Sequence, residues 1–105
     1  MDPKYHVFVK ITAAESSAEE LLNALLSLAN SSLLTDFCEE FHVTRAKDSD
    51  DTFYLIETFS SENGYAKHLE TDHVKHFLAE VIPNLTSERE AIFLENQSSR
   101  VDNNP

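Results

Sequence analysis

The sequence predicts an α+β fold whose elements follow the order β-α-β-β-α-β. Two observations carry this prediction. Four segments alternate between apolar and polar residues, as strands do, and two segments carry apolar residues at helical spacing. A length of 105 residues suits one domain of this kind. The order is the split-βαβ, or ferredoxin-like, arrangement, in which the strands form one antiparallel sheet with the helices on one face.

The first half of the chain predicts a strand and a long helix. Residues 4–13 alternate regularly and form the strand. Residues 19–34 form the helix, because their leucines make a stripe wide enough to cover a sheet. Two capping-box patterns mark the start of this helix: Ser16 with Glu19, and Ser17 with Glu20.

A hairpin follows. Residues 39–47 and 52–60 both alternate, and a short acidic turn separates them. The second of these strands is apolar on both faces, with Phe53, Leu55 and Phe59 on one and Tyr54 and Ile56 on the other. The spacing of the two strands is that of a hairpin with a short acidic loop.

The last part of the chain predicts a broken helix and a final strand. Residues 61–70 are helical, Thr71 and Asp72 interrupt them, and residues 73–82 continue with an i, i+3, i+4, i+7 stripe. Residues 89–95 form the last strand. We expect one domain at 1–95 and a disordered polar tail at 96–105.

The net charge and the cysteine content limit the binding partners and the cellular compartment that we expect for this protein. The formal net charge of −11 repels phosphate backbones and anionic lipid, so we expect neither nucleic-acid nor membrane binding. Cys38 is the single cysteine, which excludes an internal disulfide and fits a reducing compartment. The chain begins without an apolar leader. These features predict a cytoplasmic protein.

The sheet face that the helices leave open is also apolar. Phe8, Tyr54, Ile56 and Leu94 fall on it by alternation. An exposed apolar face favours association, and packing two such faces together would bury both of them. We therefore expect a homodimer through the open sheet face.

Residues 53–77 carry a recognisable motif. An apolar strand ends in Glu-x-aromatic, and a helix then ends in His-Leu, followed by a small residue and a second histidine. Its members here are Glu57, Phe59, His68, Leu69, Thr71, His73 and Phe77. This segment resembles the antibiotic biosynthesis monooxygenase family.

The resemblance implies a dimeric α/β barrel and a choice of activities. Members include cofactor-free monooxygenases of quinols and anthrones, an isomerase of a phosphorylated sugar, and heme-degrading enzymes. Heme degradation is not expected, since the chain has no tryptophan and the positions that match the heme-degrading pair are His68 and Leu78. The resemblance therefore implies no cofactor and a small aromatic or sugar-like ligand.

Cofactor-free oxygenation needs a base with a pKa near neutrality and a donor for the oxyanion that develops. Histidine and tyrosine suit these roles, so we predict three catalytic residues: His73, His68 and Tyr54. We predict a substrate-binding set of His42, His6, Glu57, Phe59 and Phe77, and no metal site.

Bland alternatives exist for these residues. The alternative for each histidine is a hydrogen-bonded structural residue, and the alternative for Glu57 is a salt bridge, with Arg45 and Lys10 as partners. Three functions therefore stay open: a cofactor-independent monooxygenase, a proton-transfer isomerase acting on a small, phosphorylated or unphosphorylated ligand, and a non-catalytic dimeric binding protein.

Overall fold

The computed structural model describes residues 2–98, which form one antiparallel sheet with helices packed on one face. The strands are β1 (Tyr5–Ala13), β2 (Cys38–Arg45), β3 (Thr52–Phe59) and β4 (Thr86–Glu95). The helices are α1 (Ala18–Leu33), α2 (Glu62–Leu69), α3 (Asp72–His76) and α4 (Ile82–Leu85), with a π-helical turn at Phe77–Val81. The strand order is β2-β3-β1-β4, and the sheet is not closed. The ferredoxin-like α+β prediction is confirmed.

The core lies between the sheet and the helices. In β1 the residues Val7, Val9 and Ile11 point toward the helices, and β3 pairs with β1 so that Leu55 lies beside Val9 and Glu57 beside Val7. From the other side, α1 contributes its leucine stripe. The buried apolar set includes Leu21, Leu25, Leu28, Phe41, Phe53, Phe59, Val74 and Phe77. Burial of this surface is the main source of stability.

The second helical region is longer than predicted. The prediction ended this region at residue 82, yet Ile82 and Pro83 continue it as the start of α4. The backbone continues through the π-helical turn to Leu85, and β4 begins at Thr86 instead of residue 89. A π-helical turn inside a helix is uncommon and is frequently found at functional sites.

The start of α1 lacks the capping box that the sequence predicted. Ser17 occupies the N-cap position, but its hydroxyl makes no capping bond and donates instead to the carbonyl of Glu15 at 3.4 Å. Ser16 takes a positive φ of 64°. By contrast, the Ser61 hydroxyl caps α2 by accepting from the backbone N–H of Gly64 at 3.1 Å.

No helix of residues 2–98 covers the opposite sheet face. Phe8, Tyr54, Ile56 and Leu94 are exposed there, as the alternation predicted, and Ile92 joins them with 52% of its surface exposed. Single exposed apolar residues are common on protein surfaces. Five large apolar side chains on one sheet face instead form a patch, which is typical of an interaction surface.

Only the beginning of the predicted polar tail falls within the described residues. The Asn96 backbone N–H donates to the Lys4 carbonyl at 2.9 Å, which continues the β1–β4 pairing by one bond. Residues 99–105 of that tail lie outside the described residues. Between residues 2 and 98, no helix has the length and apolar character needed to span a membrane.

Candidate functional site

A cavity of about 40 Å³ lies between the sheet and the second helical region. Its floor is aliphatic and is formed by Val7, Val9 and Ile11 of β1. Val74 and Phe77 cover it from above, so the Phe77 position in the motif falls on this wall. The volume suits a few water molecules and is well below that of a drug-sized ligand site.

His68 is the most enclosed polar residue of the cavity. It is 4% exposed, and its Nδ1 atom has no hydrogen-bond partner within residues 2–98. The Phe59 ring lies 4.7 Å from the imidazole centroid and Tyr65 lies 6.0 Å from it. Burial, followed by the nearby His73, lowers the pKa of His68 to about 4. The imidazole is therefore neutral at pH 7, and its buried Nδ1 atom has no partner among the described residues.

Glu57 lines the same cavity from β3 and is 5% exposed. Burial raises the pKa of its carboxyl to about 8, and the positive charge of Arg89 opposes this rise. The prediction that Glu57 forms a salt bridge with Arg45 or Lys10 is wrong. Arg45 pairs with Glu19 at 2.9 Å, and Lys10 lies on the other sheet face beside Tyr54.

Two further cavity residues were not among the predicted site residues. Tyr65 of α2 lies one helical turn before His68, and burial raises the pKa of its hydroxyl, with Glu57 as the next cause. Arg89 of β4 pairs with Ile11, so it shares the helix-covered face. Strand alternation contained this signal, because Arg89 is in phase with Ala91 and Phe93 on that face.

His73 lies beside the cavity and not in it. Its ring is 6.2 Å from that of His68, and its Nε2 lies 3.3 Å from the Thr71 hydroxyl. Its side chain instead lines an open groove between α1 and α3, together with His76. In this geometry His73 acts on the cavity through its charge and through contact with His68.

The remaining predicted site residues lie on the open sheet face. Tyr54, His42 and His6 all point away from the helices, because β3 places Ile56 beside His42 and Thr58 beside His6. His6 is held at both nitrogens, by the Thr58 hydroxyl at 3.0 Å and by the Asn96 carboxamide oxygen at 3.2 Å. The structure therefore separates these three residues from Glu57 and His68 by the thickness of the sheet.

The open face carries a larger groove. A groove of about 540 Å³ runs along it, lined by Phe8, Ile56, Leu94 and His6 among others. It is open to solvent, and both nitrogens of His6 already have partners. The helix-side cavity is the better candidate site, because Glu57 and His68 are buried there and His68 Nδ1 lacks a partner among the described residues.

Metal ligation finds no support in the described part of the chain. Across residues 2–98, no group of three or more His, Cys, Asp or Glu side chains could hold an ion. Cys38 is buried, and burial followed by the charge of Glu57 raises the pKa of its thiol to about 11. A thiol that stays protonated is a poor nucleophile.

The sequence matches the model of the antibiotic biosynthesis monooxygenase family over residues 4–80, which is well over half of the chain. The chain belongs to this family. The match includes the strand that carries Glu57, the helix that carries Tyr65 and His68, and the segment from His73 to Phe77. It ends before β4, so Arg89 lies outside the matched residues. No curated protein matches the sequence.

Solved structures with low sequence identity share the family fold. A protein from Pseudomonas aeruginosa has a TM-score of 0.86 at 22% identity, covering 93% of this chain and 98% of its own. A candidate antibiotic biosynthesis monooxygenase from Nitrosomonas europaea has a TM-score of 0.84 at 17% identity, with coverages of 94% and 95%. A Bacteroides thetaiotaomicron protein, described as a possible oxidoreductase, has a TM-score of 0.84 at 21% identity, with coverages of 91% and 100%.

Proposed function

We propose that this protein is a cofactor-independent monooxygenase that acts on a quinol- or anthrone-type aromatic molecule in the helix-side cavity. The observation that carries the proposal is that the buried side chains of Glu57 and His68 line the same, mostly apolar cavity. Family membership supports the reaction class, and the mostly apolar lining with a few polar groups suits an aromatic ligand once the cavity widens to admit it.

The proposed reaction needs deprotonation and then direct attack on oxygen. Loss of a proton from an anthrone methylene leaves a carbanion, which transfers an electron to O₂ and combines with the resulting superoxide to give a peroxide. Loss of water from the peroxide forms the carbonyl. The balance is CH₂ plus O₂ giving C=O plus H₂O, so one oxygen atom enters the product. Protein groups are needed only for proton transfer and oxyanion stabilisation.

Tyr65 is the proposed oxyanion donor. It lines the cavity, and its raised pKa keeps the hydroxyl protonated at neutral pH. The neutral His68 imidazole would orient the substrate through Nδ1. Because the cavity is small, a ring system enters only if the walls move. Leu69 and Leu78 line it and are both more than one-third exposed, so we place the entrance at these residues.

The oligomeric state belongs to the same proposal. We propose that the functional unit is a homodimer that packs the two open sheet faces together, which would cover the exposed apolar residues and the groove beside His6. Residues 1–95 would act as one domain of this unit. A cytoplasmic location is proposed on the single, free Cys38.

A proton-transfer isomerase is the second candidate, and Arg89 favours it. This guanidinium lines the cavity, and no carboxylate of residues 2–98 lies within 4 Å of it, so it is available for an anionic group such as a phosphate. In that reaction the same residues would move a proton without consuming oxygen.

Oxygen uptake with two matched tyrosine variants tests the proposal. The wild type should consume O₂ with an anthrone or a naphthoquinol and incorporate one ¹⁸O atom into the product. Tyr65→Phe should lower kcat by at least about tenfold, since one oxyanion donor is lost. Tyr54→Phe, which loses a hydroxyl on the open face, should leave kcat unchanged.

Three results would redirect the proposal. Loss of activity in Tyr54→Phe with retention in Tyr65→Phe would move the reaction to the open face. Deuterium exchange of a bound ligand without oxygen uptake would favour the isomerase. Binding without either reaction would favour a non-catalytic binding protein.

A further inference from the structure

Glu57 stands out because it interrupts an apolar row. The helix-covered face of β3 carries Phe53, Leu55 and Phe59, and the glutamate occupies the position between the last two. Its cross-strand neighbours on this face are Val7 and Phe41. A carboxyl group placed among such side chains loses most of its hydration.

The carboxyl group has no structural partner to offset this loss. Within residues 2–98, no side-chain hydrogen bond and no ion pair within 4 Å engages it. Buried carboxylates that serve structure are almost always paired. His68, whose buried Nδ1 has no hydrogen-bond partner among the described residues, lines the same cavity. A buried side chain without an ion pair and an imidazole nitrogen without a partner therefore leave hydrogen-bonding capacity in this cavity for a bound molecule.

Titratable and charged groups act with Glu57 from three elements packed against it. They are Arg89 of β4, Tyr65 of α2 and Cys38 of β2, and His68 of α2 lines the same cavity. Of these, Arg89 is the group that favours the ionised carboxylate. Burial disfavours it more strongly, so the two forms of Glu57 exchange near pH 8.

We propose that Glu57 is the acid–base catalyst of this cavity, removing the substrate proton and later returning it to the peroxide. The inference rests on the proposed function and deepens it, since the histidines were the predicted bases. His68 is a weaker base, because burial lowers its pKa to about 4. A group that exchanges its proton near the working pH transfers protons most effectively.

The proton movements balance over one turnover. The Glu57 carboxylate forms an O–H bond as the first C–H bond of the methylene breaks, and the electron pair stays on carbon. After addition of O₂, the carboxylic acid protonates the peroxide anion. The regenerated carboxylate removes the second C–H proton as the C=O bond forms and the O–O bond breaks. The hydroxide that leaves takes this proton from Glu57 and departs as water.

A pH profile of the isosteric variant Glu57→Gln tests this role. For the wild type, kcat/KM should rise about tenfold per pH unit below pH 8 and level off above it, as the base form accumulates. Glu57→Gln should lose at least about a hundredfold in kcat and lose this pH dependence. The matched control is Glu20→Gln, an exposed glutamate of α1, which should follow the wild-type profile. Equal profiles for wild type and Glu57→Gln would overturn the proposal.

A second readout does not depend on oxygen. A 4-nitrophenol probe reports its own ionisation by absorbance, and in the wild type its bound phenolate fraction should depend on whether Glu57 carries a proton. Glu57→Gln should remove that dependence while still binding the probe. Glu57-dependent ionisation without oxygen uptake would retain the acid–base role and reject the monooxygenase. Oxygen uptake that Glu57→Gln leaves intact would reject the acid–base role alone, and failure of the probe to bind in the cavity would also count against it.

Discussion

Burial in one environment shifts the pKa values of Glu57 and His68 in opposite directions. Removal from water disfavours the charged form of each, so the carboxyl pKa rises to about 8 and the imidazole pKa falls to about 4. Between these values both groups are neutral. The carboxylate form of Glu57, which the proposal requires as the base, is therefore the minor form at pH 7 and becomes the major form above pH 8.

The shifted pKa of Glu57 makes folding stability depend on pH. Its pKa rises from 4.5 to about 8 on folding, so its contribution is fully present below pH 4.5 and is lost as the pH rises toward 8. His68 acts in the other direction, with stability present above pH 6.5 and lost as the pH falls toward 4. The two slopes oppose each other between pH 4.5 and 6.5. Above pH 6.5 the Glu57 effect stands alone.

We therefore expect the wild-type free energy of unfolding to fall by roughly 1–2 kcal/mol between pH 6.5 and 8. Glu57→Gln should remove this decline, because a neutral amide has no proton to lose. Urea titrations at both pH values measure the effect, with Glu20→Gln as the control that keeps the wild-type slope. A decline that persists in Glu57→Gln would show that another group causes it.

The sequence predicted which residues belong to the candidate site better than it predicted which of them lie together in space. His68 and Glu57 followed from the motif, whereas Tyr54 was grouped with them although it lies three residues before Glu57 in β3. An odd separation in a strand puts two side chains on opposite faces. The alternation thus separated them already, and the missing information was which face holds the cavity.

At the scale of elements, the second helical region carries one wall of the cavity. Its α2 segment presents Tyr65 and His68, and after a break at Thr71 the chain turns through α3 to present Val74 and Phe77. The π-helical turn begins at Phe77. The break was predicted from Thr71 and Asp72, but the π-helical turn was not, since a one-residue widening leaves no distinct mark in an apolar periodicity.

The start of α2 should depend on its serine cap. Ser61→Ala removes the bond to Gly64 and should cost about 1 kcal/mol in the free energy of unfolding. The matched variant Ser17→Ala at the start of α1 should cost less than about half of that, because its hydroxyl makes no capping bond. Chemical denaturation of the two variants compares them directly. Equal losses would contradict the difference in capping.

At the scale of the whole molecule, the sheet has two unlike faces. One face packs against the helices and encloses the cavity, while the other exposes a row of large apolar side chains. A second copy of this chain is the proposed cover, since a domain of this size gains stability from further burial. Strand pairing also brings residues from opposite ends of the chain together on this face, as His6 and Asn96 show.

Association should be sensitive to charge on the open face. Ile56→Asp should weaken the proposed dimer by at least about tenfold in Kd, because a carboxylate would lose its water at the interface. Light scattering across a dilution series measures this change. Leu34→Asp is the control, since Leu34 is 87% exposed just after α1 and lies off the sheet. A fully dimeric Ile56→Asp protein would refute this placement of the interface.

The sequence by itself determined the element order, the two-faced character of the sheet and the family motif. Each of these features follows from local periodicity or from short spacings, and both depend only on residues that are close in the sequence. The tertiary structure alone decided that Glu57, Tyr65, His68 and Arg89 share one cavity and that His73 stands outside it. It also decided the pKa shifts. These properties depend on burial by elements distant along the chain, and local sequence patterns do not report such packing.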